Sequence, residues 1–288
     1  MVADPGGTGP PTEPPADWAG LFAVERARLS ELLGGLAPTD WDRPSPCPGW
    51  SVLGLCAHLA GGDLSLLARH RDHHHGTPPP EGPGEPELIA WLDQLQDEWV
   101  RAARRLSPRV VTDLLDWAGP QIVETFRGQD PRARTAEVTW AGPEPAPVWL
   151  DQARELSEYW IHRQQLLQAV GRPSDLRPDL AAPVLDALRW AYPFRLRPVA
   201  ARPGDTVTIA VSGPVTVTWS LVATEAGWAF RAGPGPREVA RLELSTGQAW
   251  RLLTSNLPAD GRAGLISSGD PAILALLDQT RAIIGTPR

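Results

Sequence analysis

Three side chains in this sequence are of the right types to hold a cation. In the stretch "ELSEYWIHRQQLL", residues 155–167, Glu158 and His162 stand four apart. On a helix they point the same way, one turn above the other. Leu156, Tyr159, Trp160, Ile161, Leu166 and Leu167 surround them, so this helix is expected to be largely buried. A third candidate, His58, lies in "LCAHLAGG" within another apolar helical pattern, with Gly61 and Gly62 one turn on. Glycine there permits close approach of a neighbouring helix or a ligand. Two imidazoles and one carboxylate on two helices leave a fourth position open, the arrangement of a catalytic zinc rather than a closed structural one. The same set serves Fe(II), so ligand type leaves the metal open. Each residue alone has a plainer reading. His58 fits as a hydrogen-bonded core histidine, and Arg154, one turn before Glu158, fits as its partner in a surface stripe. If a metal is held, Arg154 becomes an orienter of Glu158 or an anchor for an anion.

These residues need elements to position them. Residues 18–36, "WAGLFAVERARLSELLGGL", carry apolar positions at helical spacing and stop at Gly34–Gly35. A proline-punctuated loop follows, and Ser51 is placed to cap a second helix running to about residue 74. Residues 76–86 read as a loop, 87–106 as an amphipathic helix and 108–127 as a shorter one. The less regular "ARTAEVTWAGPEPAP" precedes the helix of Glu158, which spans roughly Val148 to Val170. Four main helices predict a bundle, whose core is where facing helices build metal sites. Beyond Gly171 the pattern changes. After a linker-like piece and the short helix "VLDALRWA", the segments "DTVTIAV", "VTVTWSLV", "GWAFRAG" and "VARLELS" alternate as strands. Two helices, "GQAWRLLTS" and "DPAILALLDQTRAII", close the chain. The expected division is a disordered tail over 1–16, a metal-binding helical bundle over 17–172, and a smaller α+β domain with an antiparallel sheet over 173–288.

Composition narrows the function classes. The 288 residues carry a net charge of −7, and all 27 basic residues are arginine, a bias expected of a GC-rich, actinobacterial-type genome. An acidic chain without a basic stripe argues against nucleic acid as partner. No apolar run long enough for a membrane span is expected, and the Pro/Gly-rich amino terminus reads as neither signal peptide nor anchor. Two cysteines, Cys47 and Cys56, are too few for a disulfide scaffold and fit a cytoplasmic setting. Cys56 reads as an inert small hydrophobe. His70, His73, His74 and His75 sit where a helix gives way to loop and read as a solvated run. Nucleotide, nucleophile-elbow and zinc-protease motifs do not occur.

The stretches "PSPCPGWSVLGLCAHLAGGDLSLL" and "RELSEYWIHRQQLLQAVGRP" resemble the two signature regions of the mycothiol-dependent maleylpyruvate isomerase family, part of the DinB-like four-helix-bundle group. The matching residues are Pro48–Gly49–Trp50, His58–Leu59, and Arg154, Glu158 and His162. The resemblance implies that His58, Glu158 and His162 bind a divalent metal, with zinc the usual ion. It also implies a carboxy-terminal domain resembling sterol carrier protein 2, on the likeness of residues 247–277, including Gly269–Asp270. The fold it implies is an amino-terminal DinB-like four-helix bundle followed by the smaller α+β domain.

The same resemblance implies a low-molecular-weight thiol, mycothiol, as cofactor or co-substrate, and a small electrophile as substrate. A thiol of pKa about 8.5 is mostly protonated at neutral pH, while its thiolate is the nucleophile. A metal at the open site favours the thiolate. Addition, rotation and loss of the thiol gives cis–trans isomerisation; persistent addition or displacement gives S-transfer. The family's active site takes an arginine from the carboxy-terminal domain. Here Arg251 and Arg262 flank that region, with Ser255–Asn256 at the corresponding place, so the substrate stays open between maleylpyruvate and another electrophile. The protein is expected to be a monomer or homodimer without a membrane partner. The rival reading is a non-catalytic, metal-stabilised binding protein that holds a lipid-like ligand against Trp219, Leu221, Trp228 and Phe230.

Overall fold

The computed structural model describes residues 9–78, 80 and 85–282. The tail expected over 1–16 and the loop expected over 76–86 lie partly outside the described residues, as do Ile283 and Ile284 of the last expected helix. The chain divides into two compact units. One comprises Asp17–Asp130 with Glu155–Asp175, and the other Met1–Ala16, Pro131–Arg154 and Leu176–Arg288. The segment 131–154, read from sequence with the bundle, thus groups with the sheet-bearing unit.

The first unit is helical. Helix α1 (Trp18–Gly34) is capped by Asp17, whose carboxylate accepts from the Gly20 N–H at 2.9 Å. Helix α2 (Val52–Leu66) is capped by Ser51, as its position in the sequence predicts, with the hydroxyl accepting from the Gly54 N–H. It runs on through a π-helical turn, Leu67–Arg71, and ends short of the expected residue 74. Helix α3 (Glu85–Ala103) and helix α4 (Pro108–Arg127, capped by Ser107) follow. Helix α5 (Val148–Ala169) belongs to this unit from Glu155 onward. Its core holds Phe22, Leu29, Leu55, Leu59, Ile122, Leu156 and Trp160, each essentially without solvent exposure. Phe22 meets the rings of Phe126 and Tyr159 edge-on at 5.4 and 5.1 Å, which locks α1, α4 and α5 together.

Gly61 of α2 earns its place sterically. A Cβ there would lie 2.3 Å from Trp99 Nε1, and that indole donates to the Ala57 carbonyl at 2.7 Å. The close approach permitted by glycine is therefore used by a tryptophan of α3. By length and composition alone the segment Val52–Arg71 would pass for a membrane span, with a mean hydropathy of 1.2, which departs from the sequence expectation. Half of that window is buried, and α2 packs on α3 and α4.

The second unit carries a two-stranded antiparallel pair, β1 (Arg134–Glu137) with β2 (Pro145–Pro147), and helices α6 (Pro178–Leu188) and α7 (Ala191–Arg195). Its main sheet contains β3 (Asp205–Ser212), β4 (Val217–Thr224), β5 (Gly227–Arg231), β6 (Arg237–Ser245) and β7 (Ile266–Gly269), in the order β5-β4-β3-β6-β7. Helices α8 (Thr246–Leu253), α9 (Ala259–Ala263) and α10 (Pro271–Gln279) complete it. All four strands read from alternation form. Three of the four pairings are antiparallel, while β3 and β6 run parallel, so the sheet is mixed rather than wholly antiparallel. The reason is the link "AGPGP" between β5 and β6. It passes so close to β3 that a Cβ on Gly235 would lie 1.9 Å from Thr206 Oγ1, and it delivers β6 to the far side of β3. Alternation marks a strand but says nothing of its neighbour.

Strand β7 has no sequence signal of its own. Its four residues are all exposed, and pairing with β6 alone makes it a strand. The residues proposed for a lipid-like ligand are mostly spent on the core: Trp219, Leu221 and Trp228 are buried, and Phe230 packs edge-on against Trp190 at 5.1 Å.

Candidate metal centre

His58 comes from the middle of α2, and Glu158 and His162 from consecutive turns of α5. The donor atoms of the three converge within 4.8 Å of one another. Glu158 Oε1 lies 3.1 Å from His58 Nε2 and 2.8 Å from His162 Nε2. The imidazoles stand edge to face, with centroids 4.8 Å apart. Each histidine side chain is 11% exposed but that of Glu158 is 31%, so the cluster has an open flank on the carboxylate side. Helical spacing made this possible for the pair on α5; only packing of α2 onto α5 supplies His58.

Around this cluster lie residues that composition did not single out. The Nδ1 atoms of His58 and His162 each meet a glutamine oxygen, Gln96 Oε1 at 3.0 Å and Gln165 Oε1 at 2.7 Å. Gln165 Oε1 also accepts from the Cys47 thiol at 3.2 Å. Trp50 stacks obliquely on the His58 ring at 5.0 Å, and its indole N–H donates to Asp97 at 3.0 Å. The segment Cys47–Trp50 before α2 therefore delivers two contacts to the site, Cys47 to Gln165 and His162 and Trp50 against His58. Gln165, three residues after His162, was readable as a same-face neighbour; Gln96 comes from α3 and gives no sequence signal.

Electrostatics favour added positive charge here. Burial works against the Glu158 charge, yet His162 and His58 outweigh it and hold the carboxyl well below the usual carboxylate range. Burial likewise opposes a charged His162, but Glu158 and, after it, the Cys47 side chain prevail and push it up to about 10. Because each Nδ1 meets a glutamine oxygen, which can only accept, each Nε2 is left to face the carboxylate oxygen. Three electron-pair donors so placed require a cation or an extra proton between them. Two imidazoles and a carboxylate fit a divalent ion of the zinc type, with a coordination position to spare.

The other sequence candidates have contacts of their own. Arg154 directs Nε and Nη2 at Asp151 Oδ1, at 3.1 and 2.7 Å. In the second unit Arg262 is paired with Asp278, and both line a cleft of about 290 Å³ with Leu242 and Leu274. Arg251 donates to the Gly247 carbonyl and lies 4.5 Å from the Trp250 ring centroid. His70 is engaged by Arg69 and Gln129, whereas His73, His74 and His75 are exposed. Cys56 is wholly buried and burial raises its thiol far above the normal range, as suits an inert hydrophobe.

A helical bundle with a convergent His–Glu–His cluster, joined to an α+β unit, defines the class. Residues 22–167 match the family model described as the mycothiol maleylpyruvate isomerase N-terminal domain, and the chain belongs to that family. Two solved structures share the fold. One is a mycothiol-dependent maleylpyruvate isomerase, with 17% identity, a TM-score of 0.55, and coverage of 90% of this chain and 93% of that one. The other is a histidine-to-alanine mutant of a mycothiol-dependent maleylpyruvate isomerase, with 16% identity, a TM-score of 0.53, and coverage of 87% and 91%. No curated protein sequence matches the chain.

Proposed function

We propose that this protein is a cytoplasmic, mycothiol-dependent enzyme that isomerises a small electrophilic alkene, with a divalent ion, zinc by donor type, held by His58, Glu158 and His162. The observation carrying the reading is the convergence of those donors within 4.8 Å, in a bundle of this family. The ion would supply the positive charge that draws a thiol toward its thiolate. The chain's own part is to orient and to balance charge. His58 and His162 present Nε2 lone pairs, Glu158 contributes one negative charge, and the partly exposed carboxylate side admits a ligand.

When bound, the thiol would supply reversible addition to the alkene, and with it the single-bond rotation that cis–trans isomerisation needs. The chain's own residues, His58, Glu158 and His162, would hold the ion and leave the carboxylate side open to the reactants. Persistent addition would instead give S-transfer. Arg251 and Arg262, which flank the expected substrate-contact region in the sequence, are engaged within their own unit, so the electrophile stays open between maleylpyruvate and another. The test is zinc-loaded protein with mycothiol and a panel of electrophiles including maleylpyruvate. Thiol-dependent conversion of one of them is expected, and inactivity across the panel overturns the reading. A metal-stabilised binder is recognised differently, because chelation would unfold its helical unit.

A further inference from the structure

Helix α5 carries two adjacent buried glutamines, and they do different things. Gln164 Oε1 accepts from the Asp175 backbone N–H at 2.8 Å, a tie within the chain. Gln165 turns to the cluster and takes the His162 Nδ1–H at 2.7 Å, while the Cys47 thiol occupies a second lone pair of the same oxygen at 3.2 Å. Across the cluster Gln96, on α3, stands to His58 as Gln165 does to His162, at 3.0 Å. The two contacts come from different helices yet have the same atom type, the same ring nitrogen and nearly the same length.

We propose that Gln96 and Gln165 are positioning residues that lock both imidazoles in the Nδ1–H tautomer and aim both Nε2 lone pairs at the point beside Glu158. An imidazole bound to neither neighbour is free to carry its proton on either nitrogen and to turn about χ2. A hydrogen bond at Nδ1 removes both freedoms. The acceptors here are neutral amides where carboxylates are the common choice. They orient the rings without adding negative charge, so Glu158 alone offsets the charge of a bound ion. The remaining excess of positive charge favours an anionic sulfur as the next ligand. The Cys47 contact helps hold the Gln165 amide in the required sense.

This inference rests on the metal reading, and the experiment separates the two. Affinity for Zn(II) is measured by chelator competition in wild type, Gln96→Leu, Gln165→Leu, Gln165→Glu and Gln164→Leu, with folding checked by circular dichroism. The two leucine variants at 96 and 165 are expected to bind about 10–100-fold more weakly. Gln165→Glu, which still accepts from Nδ1–H, is expected to bind at least as tightly as wild type. Gln164→Leu is the control for a merely structural glutamine, with affinity unchanged. Gln96 is only half-buried, so its variant tests the idea even if Gln165→Leu folds poorly. Wild-type affinity in both leucine variants, or a Gln165→Glu variant as weak as Gln165→Leu, overturns the positioning role and leaves the metal site standing. A wild type that takes up no zinc overturns both.

Discussion

Arg163 forks onto Glu25: its Nε lies 2.5 Å from one carboxylate oxygen and its Nη2 2.9 Å from the other, with both side chains essentially out of solvent. A second arm, Nη1, reaches Asp175 at 2.9 Å. Because Arg163 follows His162 directly, this fork fixes the rotation of α5 against α1 at the turn that carries the cluster. Removing one partner leaves a buried charge without its counter-ion. Arg163→Met is therefore expected to cost about 3–5 kcal/mol in urea denaturation, and pairing it with Glu25→Leu should restore much of that loss. An additive double variant would show that the pair is not coupled.

A pH effect follows from Asp63, wholly buried in α2. Burial raises its pKa to about 6, against the opposing pull of Arg26, which donates to it at 2.8 Å, and of the Tyr159 hydroxyl. A folded pKa above the unfolded value means that the folded state binds the proton more tightly. The resulting stability is present in full below about pH 4 and is lost as pH rises through about 6. The rise from 3.8 to about 6 corresponds to about 3 kcal/mol. Wild type should lose stability relative to Asp63→Asn between pH 4 and 6.5. Parallel pH curves for the two proteins would refute this.

The cluster itself makes a stoichiometric prediction. Elemental analysis of wild type should find about one divalent ion per chain, and His162→Ala or His58→Ala about none under the same purification. Anomalous scattering should place the ion between the Nε2 atoms and Glu158. Undiminished metal content in both variants would remove the site.

In the second unit Gly269 has φ of +107°, and a Cβ there would lie 2.2 Å from the Val239 carbonyl oxygen. The glycine closes β7 where Asp270 caps α10 and its N–H donates back to Val239 O at 2.9 Å. Gly269→Ala combines backbone strain with a clash against a strand that cannot yield. It is expected to lower stability by about 3 kcal/mol in thermal or urea denaturation. A change under 0.5 kcal/mol would mean that the turn relaxes freely.

The local elements were legible because each has a repeat that one chain segment displays unaided. The 3.6-residue pattern gave α1 to α5 and put Glu158 and His162 on one face. Alternation gave β3 to β6, and Ser51 marked the start of α2. Strand β7 was hidden, since Ile266–Gly269 has no alternating apolar face and exists as a strand only through its ladder with β6. The parallel sense of β3 and β6 was hidden too, being a property of chain path.

The candidate site divides the same way. Sequence alone paired Glu158 with His162 and nominated His58 from its place in an apolar helix, because residue type and helical period are local facts. Tertiary structure decided that His58 meets that pair, that Gln96 and Gln165 close on the two rings, and that Arg154 turns to Asp151. Those relations cross between helices or depend on which of several reachable partners a long side chain takes. No periodicity encodes such a choice; packing does.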